Sequence, residues 1–174
     1  IEGDKEKYKD LEKTKSNYPK IVSINKFVSK ERKSPNSLDN ILSKTKIPRD
    51  FEILSIDIDS FDLEVWESFN LYMPKIVIIE INSSYPPGII KWHSNSYKNS
   101  NGNSFSATLG VASNKGYKLV CHTGNMIFVR EDLIYKLELD EKYINYPEFL
   151  YDDLWYSLEK QPYIFRLFRR LNAF

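Results

Sequence analysis

The sequence predicts an α/β domain organised around a mostly parallel sheet, and three observations carry that expectation. Two apolar, β-branched runs, residues 53–58 and 76–81, show little alternation, and carboxylates stand at their ends. Runs of that kind read as strands covered on both faces, as in a parallel sheet sandwiched by helices. Between them, residues 61–69 place Leu63, Val65, Trp66 and Phe69 at roughly helical spacing, and Pro74 closes the turn before the second run. Farther on, residues 117–122 and 126–130, separated by Thr123-Gly-Asn125, read as a closing antiparallel pair. The first two observations make a βαβ unit with acidic groups at the carboxyl ends of both strands. Open α/β sheets bind their ligands at that edge.

Composition bounds the rest. A chain of 174 residues suits one domain with a sizeable core. Apolar residues at 41% and aromatics at 14% belong to a folded globule rather than a disordered chain. The 25 basic and 24 acidic side chains nearly cancel and are interleaved, which removes the electrostatic case for nucleic acid or an anionic membrane as partner. The single cysteine, Cys121, excludes an internal disulfide and fits a reducing, cytoplasmic setting; it reads as a small buried residue. No apolar run approaches the roughly 20 residues of a membrane helix, and no signal peptide is visible.

Taken in order, Ile1-Glu-Gly-Asp4 reads like the end of a buried strand, so further residues are expected upstream of Ile1. Residues 5–16 read as an exposed helix with Asp4 near its N-cap and Tyr8 and Leu11 as apolar anchors. Residues 20–28, with Ile21, Val22, Ile24, Phe27 and Val28, read as the next strand, and 29–36 as a mobile charged loop. Ser37 opens a short helix through Lys46, stopped before Pro48. Residues 83–103, rich in Pro, Ser and Asn, are too long for an ordinary connection and suit a lid or binding loop. Residues 104–115 read as a helix with Gly116 at its C′ position. In the aromatic-rich segment 136–174, residues 163–174 gather Arg166, Arg169 and Arg170 on one helical face and Ile164, Phe168 and Leu171 on another. That pattern suits a terminal helix docked on the domain or serving a homo-oligomer contact, a membrane-surface helix being the alternative.

The residues that carry chemistry lie mostly on the carboxyl edge. Asp57 and Asp59 end the first run, and Glu80 with Asn82 ends the second. Close carboxylates repel unless one is protonated or a cation lies between them. The set therefore has two readings: Asp57 and Glu80 as general base for an acceptor hydroxyl, or Asp57, Asp59 and Glu80 as ligands of Mg²⁺ or a similar hard ion. Helix capping and solvation at a sheet edge are the bland alternative, and Asp62 reads as the start or cap of the following helix. In the long loop, His93 is a candidate base. Tyr85, Trp92 and Tyr97 are candidates for an aromatic wall around an acceptor, with Asp59 and Asn82 also facing substrate. His122, at a strand end, reads as structural.

Several segments together resemble the FkbM-like family of S-adenosylmethionine-dependent methyltransferases: Ile1-Glu-Gly-Asp4, Ile24-Asn-Lys-Phe-Val-Ser29, Leu54-Ser-Ile-Asp-Ile-Asp-Ser-Phe-Asp62, Pro74-Lys-Ile-Val-Ile-Ile-Glu-Ile-Asn82, Gly116-Tyr-Lys-Leu-Val120 and Gly124-Asn-Met-Ile-Phe-Val-Arg130. Their order and spacing carry the likeness, which covers about residues 1–135. It implies a Rossmann-like, seven-stranded sheet with a reversed last strand, of which the first strand and its glycine loop would lie upstream of Ile1. This makes 1–135 a partial methyltransferase domain and 136–174 an extension packed on it. Where the family usually has Gly or another small residue after the second acid, this chain has Ser60. By the resemblance, Glu2 would accept hydrogen bonds from the cofactor's ribose hydroxyls, as carboxylates do at that position in dinucleotide folds. Val28 and Ser29 would flank the adenine, and Asp57 would face the transferable methyl. The implied activity is S-adenosylmethionine-dependent O-methylation of a sugar or other hydroxyl acceptor. Two rivals remain: a non-catalytic scaffold keeping the fold, favoured by the lack of a glycine loop ahead of Glu2, and a metal-dependent hydrolase or hydroxylase using Asp57, Asp59 and Glu80.

Overall fold

Four strands pair in one open sheet in a computed structural model that describes residues 1–94 and 102–152. They are β1 (Ile53–Ile56), β2 (Ile76–Glu80), β3 (Tyr117–His122) and β4 (Asn125–Arg130), in the spatial order β1-β2-β4-β3. β1 and β2 are parallel, with Ile53 opposite Ile76 and Ile56 opposite Ile79. β4 lies between β2 and β3 and is antiparallel to both. The mixed α/β class therefore holds, but this sheet has one parallel and two antiparallel pairings rather than a mostly parallel set. The last strand in chain order is the reversed one.

The chain divides into two units, residues 1–49 with 64–72, and residues 50–63 with those from 73 onward. In the first, helix α1 (Lys5–Asn17) starts where Asp4 accepts the N–H groups of Glu6 and Lys7. Those N–H groups have no intrahelical partner, so the N-cap carboxylate satisfies them. Residues 20–28 do not form the expected strand. They make only a parallel bridge between Asn25 and Glu2, and Val22 and Phe27 are each 74% exposed. Apolar content alone had suggested a strand, yet without a continuous ladder the alternate residues stay in solvent. Phe27 lies against Gly3, where a Cβ would come within 2.3 Å of its ring. Within the charged loop 29–36, Ser29 N–H donates to Asn36 C=O, and Ser34 N–H to Glu31 C=O.

Helix α2 (Leu38–Leu42), capped by Ser37, is shorter than the expected run to Lys46, because Lys44 and Thr45 donate to the carbonyls three residues back and tighten the chain out of the helix. Its Asp39 is buried and accepts the N–H groups of Asn70 at 2.9 Å and Leu71 at 3.0 Å, just beyond helix α3 (Asp62–Ser68). Phe69 and Tyr72 stack with ring centroids 5.5 Å apart.

In the second unit, Leu54, Ile56, Val77, Ile79, Met126 and Phe128 are buried on the sheet, and helix α4 (Phe105–Asn114) packs on β3. Ser104 caps α4, and Gly116, with φ 75°, turns the chain into β3. β1 is not buried on both faces: Ile53 and Ser55 are exposed and alternate with buried Leu54 and Ile56, whereas β2 alternates half-buried with buried residues. A short apolar run cannot report which of its residues will find cover. Gly124, with φ 88°, makes the hairpin, and Tyr117 Oη–H donates to Pro74 C=O at 2.6 Å. A 3-10 turn (Glu131–Lys136), helix α5 (Glu141–Asn145) and a second 3-10 turn (Pro147–Leu150) follow. The expected terminal helix over 163–174 and its oligomer contact lie outside the described residues, as does Tyr97. Among the described residues no helix is long and apolar enough to cross a membrane.

Asp39→Ala strands two backbone N–H groups beside α2, so urea denaturation should show a loss of about 2–4 kcal/mol, with Asp39→Asn losing less.

Candidate functional site

The site begins where β1 stops. Strand pairing ends at Ile56, and the next N–H groups turn to a side chain: Ile58 N–H donates to Asp62 Oδ1 at 2.8 Å and Ser60 N–H to Asp62 Oδ2 at 3.1 Å. Ser60 Oγ–H closes the same turn on Ile58 C=O at 3.2 Å. Asp59 takes φ 58°, the one non-glycine residue in the left-handed region among the described residues. Aspartate tolerates that region better than a β-branched residue would.

Glu80 ends the neighbouring strand. The register that sets Ile56 opposite Ile79 carries Asp57 and Glu80, one residue on, to adjacent places at the carboxyl edge. Carboxylate oxygens of Asp57, Asp59 and Glu80 all lie within 4.8 Å of one another. Two residues of continuous strand advance about 6.6 Å, so the left-handed turn is what draws Asp59 in. Asp57 and Asp59 are exposed and Glu80 is half-buried.

Burial, and then the negative charges of Asp57, Asp62 and Asp59, push the Glu80 carboxyl up to about 7. A hydrogen bond with Asp57 favours the same protonated form. Burial also raises Asp62, against the opposing pull of the Ile58 and Ser60 N–H groups. The edge thus holds one carboxyl that is half-protonated near neutral pH beside carboxylates that are exposed. That can move a proton to or from a hydroxyl. The same three oxygens suit a hard cation, which takes oxygen donors.

The other residues singled out from the sequence lie on the segment that follows β2 and in the first unit. His93 stands outside the converging set: its ring meets Phe61 edge-on at 4.5 Å, its N–H donates to Asn103 Oδ1 at 2.8 Å, and its buried Nδ1 has no hydrogen-bond partner among the described residues. Asn82 Oδ1 accepts Ser84 N–H at 2.9 Å and Asn82 N–H donates to Asn103 C=O, so Asn82 shapes the exit from β2. Tyr85 carries the Lys91 ammonium on its hydroxyl and, at 4.6 Å, over its ring, while Trp92 is partly exposed. In the first unit, Glu2 gives one carboxylate oxygen to Asp4 N–H at 2.7 Å. Ser29 Oγ accepts Glu31 N–H and Ser29 N–H donates to Asn36, so its polar groups serve its own turn; Val28 is half-buried.

Sequence reasoning missed a second polar cluster. His122, 5% exposed, hydrogen-bonds through Nε2 to Ser83 Oγ at 3.0 Å and through Nδ1 to Asp152 N–H at 2.9 Å. Tyr151 stacks on its ring at 5.4 Å and donates its hydroxyl to Ser83 C=O, with Phe105 edge-on to both rings. Ser, His and Asp occur together here, but the tautomer argues against a nucleophile. Because Nδ1 accepts a backbone N–H, the ring proton sits on Nε2 and points at Ser83, leaving no lone pair to deprotonate it. The cluster is a structural tie, as expected of His122. No local spacing announces it, since Ser83 and Asp152 are far apart in the chain.

Comparison of the chain with protein families, curated proteins and solved structures finds no match.

Two pH effects follow. Glu80 is raised in the fold, so its contribution to stability is full below its unfolded value and is lost as pH rises through about 7. Glu80→Gln should therefore gain stability over the wild type from pH 5 to 8 in parallel melts, then hold a constant advantage. His122 is lowered, chiefly by burial, so the unfolded chain takes up its proton first and stability should fall as pH drops below about 6.5. His122→Gln should flatten that limb of the melting profile.

Proposed function

We propose that the chain carries out S-adenosylmethionine-dependent methyl transfer to a hydroxyl of a sugar or other small acceptor, in a cytoplasmic setting. The observation that carries this reading is Glu80, a carboxyl balanced near neutral pH beside Asp57, at the carboxyl ends of two parallel strands. A general base works best when its proton affinity lies near the working pH. The reversed last strand supports the same reading, because the FkbM-like resemblance implies a Rossmann-like sheet that ends in this way.

The residues present fit the cofactor at one point that the structure lets one test. Glu2 uses one carboxylate oxygen within its own turn, and the other has no partner among the described residues, as a ribose-binding carboxylate requires. Ser29 Oγ accepts the Glu31 N–H, which leaves its own O–H able to donate to an adenine beside the Val28 side chain. When bound, the cofactor supplies a methyl group on a sulfonium, open to direct displacement. The chain's own part is to align the acceptor hydroxyl and take its proton: ionised Glu80 is the base, and once it holds the proton it shares it with Asp57 in a hydrogen bond. Tyr85 and Trp92 offer aromatic surface, and His93 a ring nitrogen, for holding the acceptor. A second reading, cation-assisted transfer through Asp57, Asp59 and Glu80, is favoured by the convergence of their oxygens.

Calorimetric titration of S-adenosylhomocysteine into the full-length natural protein tests the proposal. Binding is expected, and Glu2→Ala should weaken it by about 10- to 100-fold, the worth of a charged hydrogen bond. Glu80→Gln should leave that binding within a few-fold while slowing transfer by about 10²- to 10⁴-fold. A folded protein that binds no S-adenosylhomocysteine overturns the reading. Activity abolished by a chelator and restored by Mg²⁺ would select the cation-assisted form.

A further inference from the structure

We propose that Lys91 makes the site selective for an anionic acceptor, its ammonium taking a carboxylate or phosphate of the small molecule whose hydroxyl is methylated. The inference rests on the methyl-transfer reading for what is done to that molecule, and on the surroundings of Lys91 for its charge. Two other half-buried lysines of the second unit each hold an acid, Lys75 with Glu52 at 3.0 Å and Lys118 with Glu131 at 3.2 Å. Lys91 is half-buried too, but its ammonium donates to the Tyr85 hydroxyl and stands 4.6 Å from the centre of the Tyr85 ring. A phenol oxygen and a ring face orient an ammonium without neutralising it. An ammonium has more than one N–H to give, and beyond Tyr85 the Lys91 group has no side-chain partner among the described residues. It keeps its charge for an anion brought from solution.

The charge is also held in place. Lys91 N–H donates to Ser104 Oγ and Lys91 C=O accepts the Ser104 N–H, both at 2.9 Å, and Ser104 is the fully buried cap of α4. Two residues on, His93 carries the buried Nδ1 that has no hydrogen-bond partner among the described residues. A buried polar atom left unpaired is costly, and a hydroxyl of a ligand would satisfy it. Two residues of chain reach at most about 7 Å, so both side chains start within range of one small molecule. The His93 ring in turn meets Phe61, which follows directly on the 58–60 turn of the acid edge. The acids of that edge repel an anion and Lys91 attracts it. An acceptor with a charge at one end therefore docks with that end toward Lys91 and a hydroxyl toward Glu80. A neutral sugar has no such means of choosing its orientation.

The experiment is an NMR titration of the full-length natural protein, isotope-labelled at lysine, with glucuronate, glucose and inorganic phosphate as probes. Glucuronate differs from glucose by its carboxylate. The Lys91 side-chain signal is identified by its loss in Lys91→Met, or in Lys91→Arg should the first variant not fold. At millimolar concentrations glucuronate and phosphate should shift that signal to saturation, ahead of the other lysines. Glucuronate should bind about 10- to 100-fold more tightly than glucose, the worth of a charged hydrogen bond. Lys91→Met should bring glucuronate down to the affinity of glucose, and Lys91→Arg should keep most of the preference. Tyr85→Phe, which retains the ring but not the hydroxyl, should weaken it several-fold. A selective response to phosphate alone would assign the anion as a phosphate rather than a carboxylate. Glucose and glucuronate bound alike, or a Lys91→Met variant that still prefers glucuronate, overturns the proposal. So does a Lys91 signal that stays still, or that moves with phosphate only in step with every other lysine, which is screening rather than binding. These readouts need no cofactor. A selective Lys91 response without S-adenosylhomocysteine binding would therefore sink the methyl-transfer reading alone, and S-adenosylhomocysteine binding beside a silent Lys91 would sink the anionic acceptor alone.

Discussion

Parallel pairing of β1 with β2 is the constraint on which the rest of the edge depends. Strands running the same way finish on the same side of a sheet, so Asp57 and Glu80, each one step past a paired isoleucine or at the end of its run, must arrive together. Like charges this close cannot all remain ionised without cost. The fold meets that cost in three ways: Glu80 keeps a proton near neutral pH, Asp57 and Asp59 stay in contact with water, and Asp62 draws on two backbone N–H groups. An antiparallel arrangement would have separated the two acids by the length of a strand, and none of these adjustments would be needed.

Beyond the edge, the chain leaving β2 is tied down by polar groups at both of its described margins. Asn103 accepts from Asn82 and His93, and Ser104, the cap of α4, bonds the backbone of Ile89 and Lys91. Ser83 is held by His122 and Tyr151. These ties give Tyr85, Trp92 and His93 fixed attachment points although residues 83–94 contain no regular element. Loops placed in this way by a rigid scaffold are where binding residues concentrate.

Much of this was legible in the sequence because it depends on neighbours in the chain. Asp4, Ser37 and Ser104 cap helices within three residues of themselves; Gly116 and Gly124 supply positive φ where a helix or a hairpin must turn. The βαβ unit and the reversed hairpin are likewise short-range patterns. The failures share one origin. Residues 20–28 have strand composition but only a single bridge, and β1 presents an apolar run of which alternate residues are exposed. In both places the outcome turns on what lies alongside, which spacing cannot report. Asp62 was readable as a helix-start acid, yet not as the acceptor for Ile58 and Ser60, because the same residue type serves either purpose.

By itself, then, the sequence determined the mixed α/β class, the order of helices and strands from β1 to β4, and the presence of acids at the carboxyl ends of two adjacent strands. These follow from residue type and local period, which act over a few positions. Only the tertiary structure decided that β4 inserts between β2 and β3, that Asp59 folds back on Glu80, that His122 is locked as the Nε2–H tautomer between Ser83 and Asp152, and that Glu80 holds its proton near neutral pH. Each of those depends on burial and on charges brought close from distant parts of the chain, and proton affinity and strand position are set by that surrounding rather than by the order of residues.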